Sequence, residues 1–327
     1  MRVKRFLSIA PLVLVLSLVI GTTWVTLPYY TEGPGPAREV IPLIHVDGPP
    51  EYASAGKLIM TTVEYRKATA FTAFLAWLDP NRRVIGSDVL YPPGQTPEQE
   101  KVRSISEMDT SKIDAAYVVL RTLSSYPADH GTGVLIEGVF PGCPAEGELF
   151  AGDLIVAMNG EPVSSRVQAL HAFDAIPFDD PITFRVLAGG ETHEITLTRG
   201  RCVEGEDPIV GISMVPNFPY PISIESGDVG GPSAGMMYAL GLYDLLTPGD
   251  LTDGRTVAGT GTIDLEGTVG PIGGIGDKII AAQGAGADVF LVPDGDLTGA
   301  RAASDGSMQI VAISTLQEAL TFLGGAS

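Results

Sequence analysis

The chain is poor in the residues that most often carry polar chemistry. Two cysteines, Cys143 and Cys202, and four histidines, His45, His130, His171 and His193, are spread over 327 residues. They do not cluster at the spacing of a zinc site, so no metal is implied. His-Glu-x-x-His does not occur, which removes the zinc-peptidase arrangement, and no histidine sits in a recognisable catalytic setting. Basic charge is scarce as well: 20 Lys and Arg against 39 Asp and Glu give a formal net charge of -19. That balance repels phosphate backbones and excludes nucleic acid as a partner. A Gly-x4-Gly-Lys-Ser/Thr loop is also missing. The nearest run, Gly273-Gly-Ile-Gly-Asp-Lys278, has the wrong spacing and no hydroxyl after the lysine. No cofactor is implied.

Glycine (40) and proline (25) are plentiful on a background that is 45% hydrophobic. Many turns around a real core are expected, not disorder. After Arg2, Lys4 and Arg5 no charged residue occurs until Glu32. At ~1.5 Å per helical residue, positions 6–27 are long enough to cross a bilayer core. The expectation is one transmembrane helix within an N-terminal segment 1–30, with Pro28-Tyr29-Tyr30 as an interfacial aromatic belt. The basic flank then places the N-terminus in the cytoplasm and the rest outside a cell membrane, with the lipid bilayer as a partner through residues 6–27. In such a compartment Cys143 and Cys202 either pair or stay buried thiols; the sequence leaves both open.

Residues 31–49, rich in proline and glycine, read as a linker. In 50–128, "KLIMTTVEY" (57–65) reads as a strand and "ATAFTAFLAWLD" (68–79) as a short apolar helix. Thr96 as cap with Pro97 at the first helical position starts a helix, and "SKIDAAYVVLRTL" (111–123) is a second helical run. From 129 to 200 the texture changes to short strands and turns. Gly131-Thr-Gly-Val134, Pro141-Gly-Cys-Pro-Ala145, Gly152-Asp-Leu-Ile155 and Asn159-Gly160 occur in the order of a PDZ domain of the bacterial protease-associated type, which this stretch resembles. The resemblance implies a mainly-β domain to which an extended or C-terminal peptide adds as a strand, with Thr132, Gly133, Val134 and Leu135 as the contacts.

In residues 201–327, "GDVGGPSAG" (227–235) looks like a trypsin-type loop with Val229 in the nucleophile's place. Ser233 lies four residues on, at the head of an apolar helical run to Leu246. There it is either a helix cap or a nucleophile set against the positive end of the helix dipole. Lys278 opens another apolar run directly after a glycine-rich turn. The dipole and any burial would lower its pKa, as a general base requires; otherwise it is a solvated surface lysine.

Pro232-Ser233-Ala234-Gly235, Thr260-Gly261 and "IDLEGTVGPIGGIGDKIIAAQGAGA" (263–287) together resemble the proteolytic domain of the Lon family. That resemblance implies an α/β (α+β) Lon-type proteolytic domain, here with a PDZ domain inserted and one N-terminal transmembrane helix. Strand 57–65 would pair with "IVGISMV" (209–215) across the insertion. It implies that Ser233 attacks the peptide carbonyl, Lys278 takes its proton and Thr260 hydrogen-bonds the lysine. The expected function is an ATP-independent, membrane-anchored serine endopeptidase acting on protein or peptide substrates, assembled as a homo-oligomer because Lon-type domains form rings. Many relatives carry an acid where Gly231 stands, so Glu225 or Asp228 would replace it, or nothing does. Two alternatives remain: a tail-specific-type protease, and a PDZ scaffold on an inactive protease fold.

Overall fold

The computed structural model describes residues 22–23, 25–91, 96–124, 126, 133–188, 190–202 and 209–324. Strand β1 (Thr26–Glu39) comes first, where a linker and the end of a membrane helix were expected. Pro34 and Pro36 are tolerated because the ladder slips between Pro34 and Ala37, a bulge that needs no amide donor there. Tyr29 and Tyr30 face Gly86 and Ile85 across a strand pair, so they do not form an interfacial belt. Among the described residues no helix is long and apolar enough to cross a membrane. The membrane-spanning helix expected over residues 6–27 is therefore not supported, nor are the lipid-bilayer contact and the extracytoplasmic, cell-membrane placement drawn from it. Residues 1–21 of that expectation lie outside the described residues.

A short strand β2 (Ile44–Val46) is followed by β3 (Lys57–Thr69), whose apolar start Leu58-Ile59-Met60 is buried. Helix α1 (Ala70–Leu78) starts from a reciprocal cap between Thr69 and Thr72. Strand β4 (Arg83–Gly86) lies along the outer side of β1, and one turn, α2 (Ser87–Leu90), follows. Helix α3 (Pro97–Leu123) is continuous where two helical runs were expected, since no Gly or Pro separates Met108 from Ser111. Its start is fixed by Thr96 and Gln99, each side chain bonding the other's backbone amide, at 3.2 and 2.9 Å.

Next come β5 (Val134–Val139), β6 (Leu154–Met158), β7 (Glu161–Pro162), helix α4 (Arg166–Ala175), β8 (Ile182–Ala188), β9 (Glu191–Leu197) and β10 (Ile212–Pro216). They form one antiparallel sheet in the order β10-β5-β6-β8-β9, around a core of Val134, Ile136, Ile155, Ile182, Phe184 and Val186. Cys143 and Cys202 are joined as a disulfide. The expected pairing of strand 57–65 with 209–215 does not form: β10 pairs with β5, while β3 pairs with β1 and with a later strand. Alternating apolar strands carry no label for their partner.

The chain then supplies β11 (Ile222–Ile224), helix α5 (Gly235–Leu246), β12 (Thr256–Gly259), the hairpin β13 (Thr262–Ile263) and β14 (Val269–Gly270), helix α6 (Ile275–Gly284), β15 (Val289–Pro293), α7 (Leu297–Ala303), β16 (Gln309–Ile313) and α8 (Leu316–Leu323). A mixed sheet in the order β16-β15-β12-β3-β1-β4 runs through this part of the molecule, parallel from β16 to β3 and antiparallel beyond. Helices α6 and α7 bury Ile279, Ala282 and Ala300 against Ile59, Ala258 and Phe290 of the sheet. Helix α5 is buried from Gly235 to Leu245, as its mostly apolar sequence requires, and its one acid, Asp244, accepts the Leu251 amide at 2.8 Å. The chain divides into two compact units, one comprising the segment up to Ile44 with 50–115 and 224–327, the other 45–49 with 116–223.

Candidate active site

The first unit brings three side chains from three elements to one point. Ser233 lies two residues ahead of α5, outside the helix that was expected to begin with it. Thr260 follows directly on β12, and Lys278 projects from the first turn of α6. The Lys278 Nζ is 2.7 Å from Ser233 Oγ and 2.9 Å from Thr260 Oγ1. Thr260 Oγ1 in turn donates its hydrogen to the Ser233 carbonyl at 3.0 Å. With its single proton so engaged, Thr260 faces the lysine as an acceptor only. A neutral Lys278 that gives one N–H to Thr260 can then turn its lone pair toward the serine hydroxyl.

Burial shifts the balance toward that neutral form. Lys278 and Thr260 are 3% and 1% exposed, so the ammonium is almost cut off from water. Burial pushes the amine down from 10.5 to about 8, against the pull of the Asp296 carboxylate, which favours the charged form. Asp296 also accepts the Ile272 amide at 3.0 Å, so its position is fixed from the turn before α6. No sequence pattern marks Asp296, which lies beyond the glycine-rich motif. Asp277, next to the lysine, turns away to Arg83 of β4 at 2.8 Å, and burial holds its carboxyl above the usual carboxylate range.

The group opens into a cleft of about 490 Å³ lined by, among others, Arg38, Thr61, Val63, Met108, Asp228 and Ser233. Of the two acids offered in place of one at Gly231, Asp228 borders the cleft and Glu225 does not; Glu64 of β3 lines it as well. Gly231 has φ +83, a left-handed conformation in which an acidic side chain would be strained. Past Met60, β3 has lost its neighbour β12 and among the described residues pairs only with β1, so there the Thr61–Tyr65 edge has no strand partner beside Ser233.

The residues expected to contact a peptide in the second unit are placed differently. Thr132 lies outside the described residues. Gly133 precedes β5, and Val134 and Leu135 pair on one side with Pro216 and Val215 and on the other with Ile155 and Leu154. Both edges of β5 are occupied, so an added strand has no place there; among the described residues the edge strand on that side of the sheet is β10.

Comparison with known proteins bears on the first unit. Residues 222–323, which include Ser233, Thr260 and Lys278, match the family model of the Lon protease (S16) C-terminal proteolytic domain. Among curated proteins, the Lon protease of Campylobacter concisus (strain 13826) is 39% identical over 94 residues, 28% of this chain and 11% of that protein. Lon protease 2 of Bacillus subtilis (strain 168) is 38% identical over 104 residues, 32% of this chain and 17% of that protein. The chain thus spans less than a fifth of the length of these relatives. Among solved structures, the PDZ domain of the SdrC-like protein from Listeria innocua covers 25% of this chain and 92% of its own, at 24% identity and TM-score 0.23. Its counterpart from Listeria monocytogenes gives 22% identity and TM-score 0.24. At such scores the likeness decides nothing about the second unit. Residues 222–323 are thus similar to a Lon-type proteolytic domain, and the activity these matches support is that of a serine-protease-type hydrolase.

Proposed function

We propose that the chain is a serine endopeptidase that cleaves protein or peptide substrates, with Ser233 as nucleophile and Lys278 as general base. The observation that carries the reading is the 2.7 Å contact between Lys278 Nζ and Ser233 Oγ, made by a lysine that is 97% buried in the wall of an open cleft. In this reaction the neutral amine takes the Ser233 proton as Oγ bonds to the scissile carbonyl carbon. The tetrahedral oxyanion collapses, the C–N bond breaks, and Lys278 returns the proton to the leaving amine. Water then attacks the Ser233 ester, gives its proton to Lys278, and releases the carboxylic acid and the serine hydroxyl. Thr260 keeps Nζ aimed. The open Thr61–Tyr65 edge of β3 supports an extended substrate that pairs with it as a strand.

For the second unit we propose capture of an extended segment by the free edge of β10, whose neighbour on the other side is β5. The Arg166 guanidinium at the start of α4 donates to the Met214 carbonyl of β10 at 3.1 Å, which keeps the helix beside that edge.

The test is hydrolysis of an unfolded protein and of a fluorogenic peptide without ATP by residues 22–327. Wild type cleaves, and Ser233→Ala and Lys278→Met do not. If all three bind peptide equally and none cleaves, a binding scaffold replaces this reading.

A further inference from the structure

We propose that Ser111, a residue of α3 outside the Lon-type match, is a positioning residue that directs the Ser233 backbone N–H at the developing oxyanion. The inference rests on the assignment of Ser233 as nucleophile. Ser111 is 3% exposed, and its Oγ donates to the Pro232 carbonyl at 3.0 Å. A helical serine or threonine usually bonds back to the carbonyl four residues earlier. Thr122, in the same helix, does so to Val118 at 2.8 Å, and Ser124 just beyond its end does so to Leu120 at 2.8 Å. Ser111 instead gives its only hydrogen to the residue before the nucleophile.

The consequence follows from peptide planarity. In a trans peptide the C=O and the N–H of one unit point in opposite directions. With the Pro232 carbonyl drawn toward α3 by Ser111, and also accepting the Gly235 amide at 3.3 Å, the Ser233 N–H of the same unit is turned away from α3. The next unit is fixed in the same manner. The Ser233 carbonyl accepts both the Gly261 amide at 2.8 Å and the Thr260 hydroxyl at 3.0 Å. Among the described residues neither the Ser233 nor the Ala234 N–H has a protein acceptor, and both residues line the cleft. Two unpaired donors on a backbone clamped from both sides is the arrangement that stabilises an oxyanion without reorganisation. The surroundings are shaped for this bond. A Cβ at Gly235 would stand 2.5 Å from Ser111 Oγ, so only glycine lets the hydroxyl reach Pro232. A second hold from α3, the Ser104 carbonyl accepting the Gly231 amide at 2.7 Å, fixes the other side of Pro232.

The experiment compares wild type, Ser111→Ala and Ser111→Cys on a fluorogenic peptide, together with the affinity of each for a peptide boronate, whose tetrahedral anion occupies the oxyanion position. Cysteine fills the site but is a weak donor, so it separates the hydrogen bond from packing and serves where the alanine variant does not fold. We expect kcat to fall about tenfold or more in both variants. KM should stay within about twofold and the pH midpoint should be that of wild type, because Lys278 is untouched. Boronate affinity should fall by the same factor as kcat/KM. Unchanged kcat and boronate affinity in a folded variant overturns the inference. So does a loss accompanied by a raised KM and a displaced pH midpoint, which marks general disruption. A wild type that cleaves nothing and is not acylated at Ser233 sinks the peptidase reading itself, a result distinct from an active wild type indifferent to Ser111.

Discussion

Replacing Lys278 by methionine should make the protein inactive and more stable, and the gain in stability should depend on pH in a defined direction. Burial lowers the folded-state pKa of Lys278 from 10.5 to about 8. Because the folded value is depressed, the unfolded chain binds more protons between pH 8 and 10.5, and stability must rise with pH through that window. Below pH 8 the folded protein carries the full penalty of a buried ammonium. At about 1.4 kcal/mol per pKa unit, the interval between 10.5 and about 8 corresponds to about 3 kcal/mol. Methionine has nearly the same length and no charge. Lys278→Met should therefore exceed wild type by up to about 3 kcal/mol at pH 6 to 7, with the difference shrinking toward pH 10. Urea denaturation of both proteins at pH 6.5, 8 and 10 measures this. Activity of wild type follows the same group with the complementary sign: kcat/KM should rise about tenfold per pH unit below 8 and level off above it. Holding the lysine near 8 instead of 10.5 raises the neutral fraction at pH 7 about 300-fold. A Lys278→Met variant that is less stable than wild type at pH 6.5, or a flat activity profile from pH 5 to 9, refutes the reasoning.

Two further predictions concern neighbouring features. Thr260→Val removes both the acceptor for Lys278 Nζ and the donor to the Ser233 carbonyl. Activity should fall about tenfold or more, and the midpoint of the pH profile should move below that of wild type, because the ammonium loses a partner; a midpoint that moves up contradicts this. Reducing the Cys143–Cys202 disulfide, which spans 59 residues, should destabilise the second unit by about 4 kcal/mol if loop closure dominates. Thermal melts with and without reductant read this loss. Below the melting temperature small-peptide hydrolysis should persist, since neither cysteine belongs to the first unit.

The meeting of Ser233, Thr260 and Lys278 was legible because each sits in a short local pattern whose residue types carry the chemistry. What surrounds them was not. The cleft walls come from β1, β3 and α3, and nothing in "PGPAREV" or "RSISEM" marks a residue that will stand beside a serine more than a hundred positions later. Strand β1 was misread because Pro34, Gly35 and Pro36 have the composition of a linker, whereas a bulge accommodates them inside a ladder. The uncharged run before Glu32 suggested a spanning helix that ran into residues now seen in β1. The start at Thr96 was legible because its cap is satisfied locally, Thr96 Oγ1 accepting the Gln99 amide at 3.2 Å, whereas the helix after Ser233 begins only at Gly235. Strand partners fared worst. The alternation in "IVGISMV" shows that one face is buried but not against what, and β10 joined β5 where β3 was expected.

The central claim is that Ser233 forms an ester with substrate under the control of Lys278. Intact-protein and peptide mass spectrometry after treatment with a peptide β-lactone, whose ring opens to leave an acyl ester on its nucleophile, tests it directly. The account predicts one adduct, located on Ser233, absent from Ser233→Ala, strongly suppressed in Lys278→Met, and forming faster as pH rises through about 8. An adduct on another residue, or labelling of Ser233 at the same rate in Lys278→Met, contradicts it.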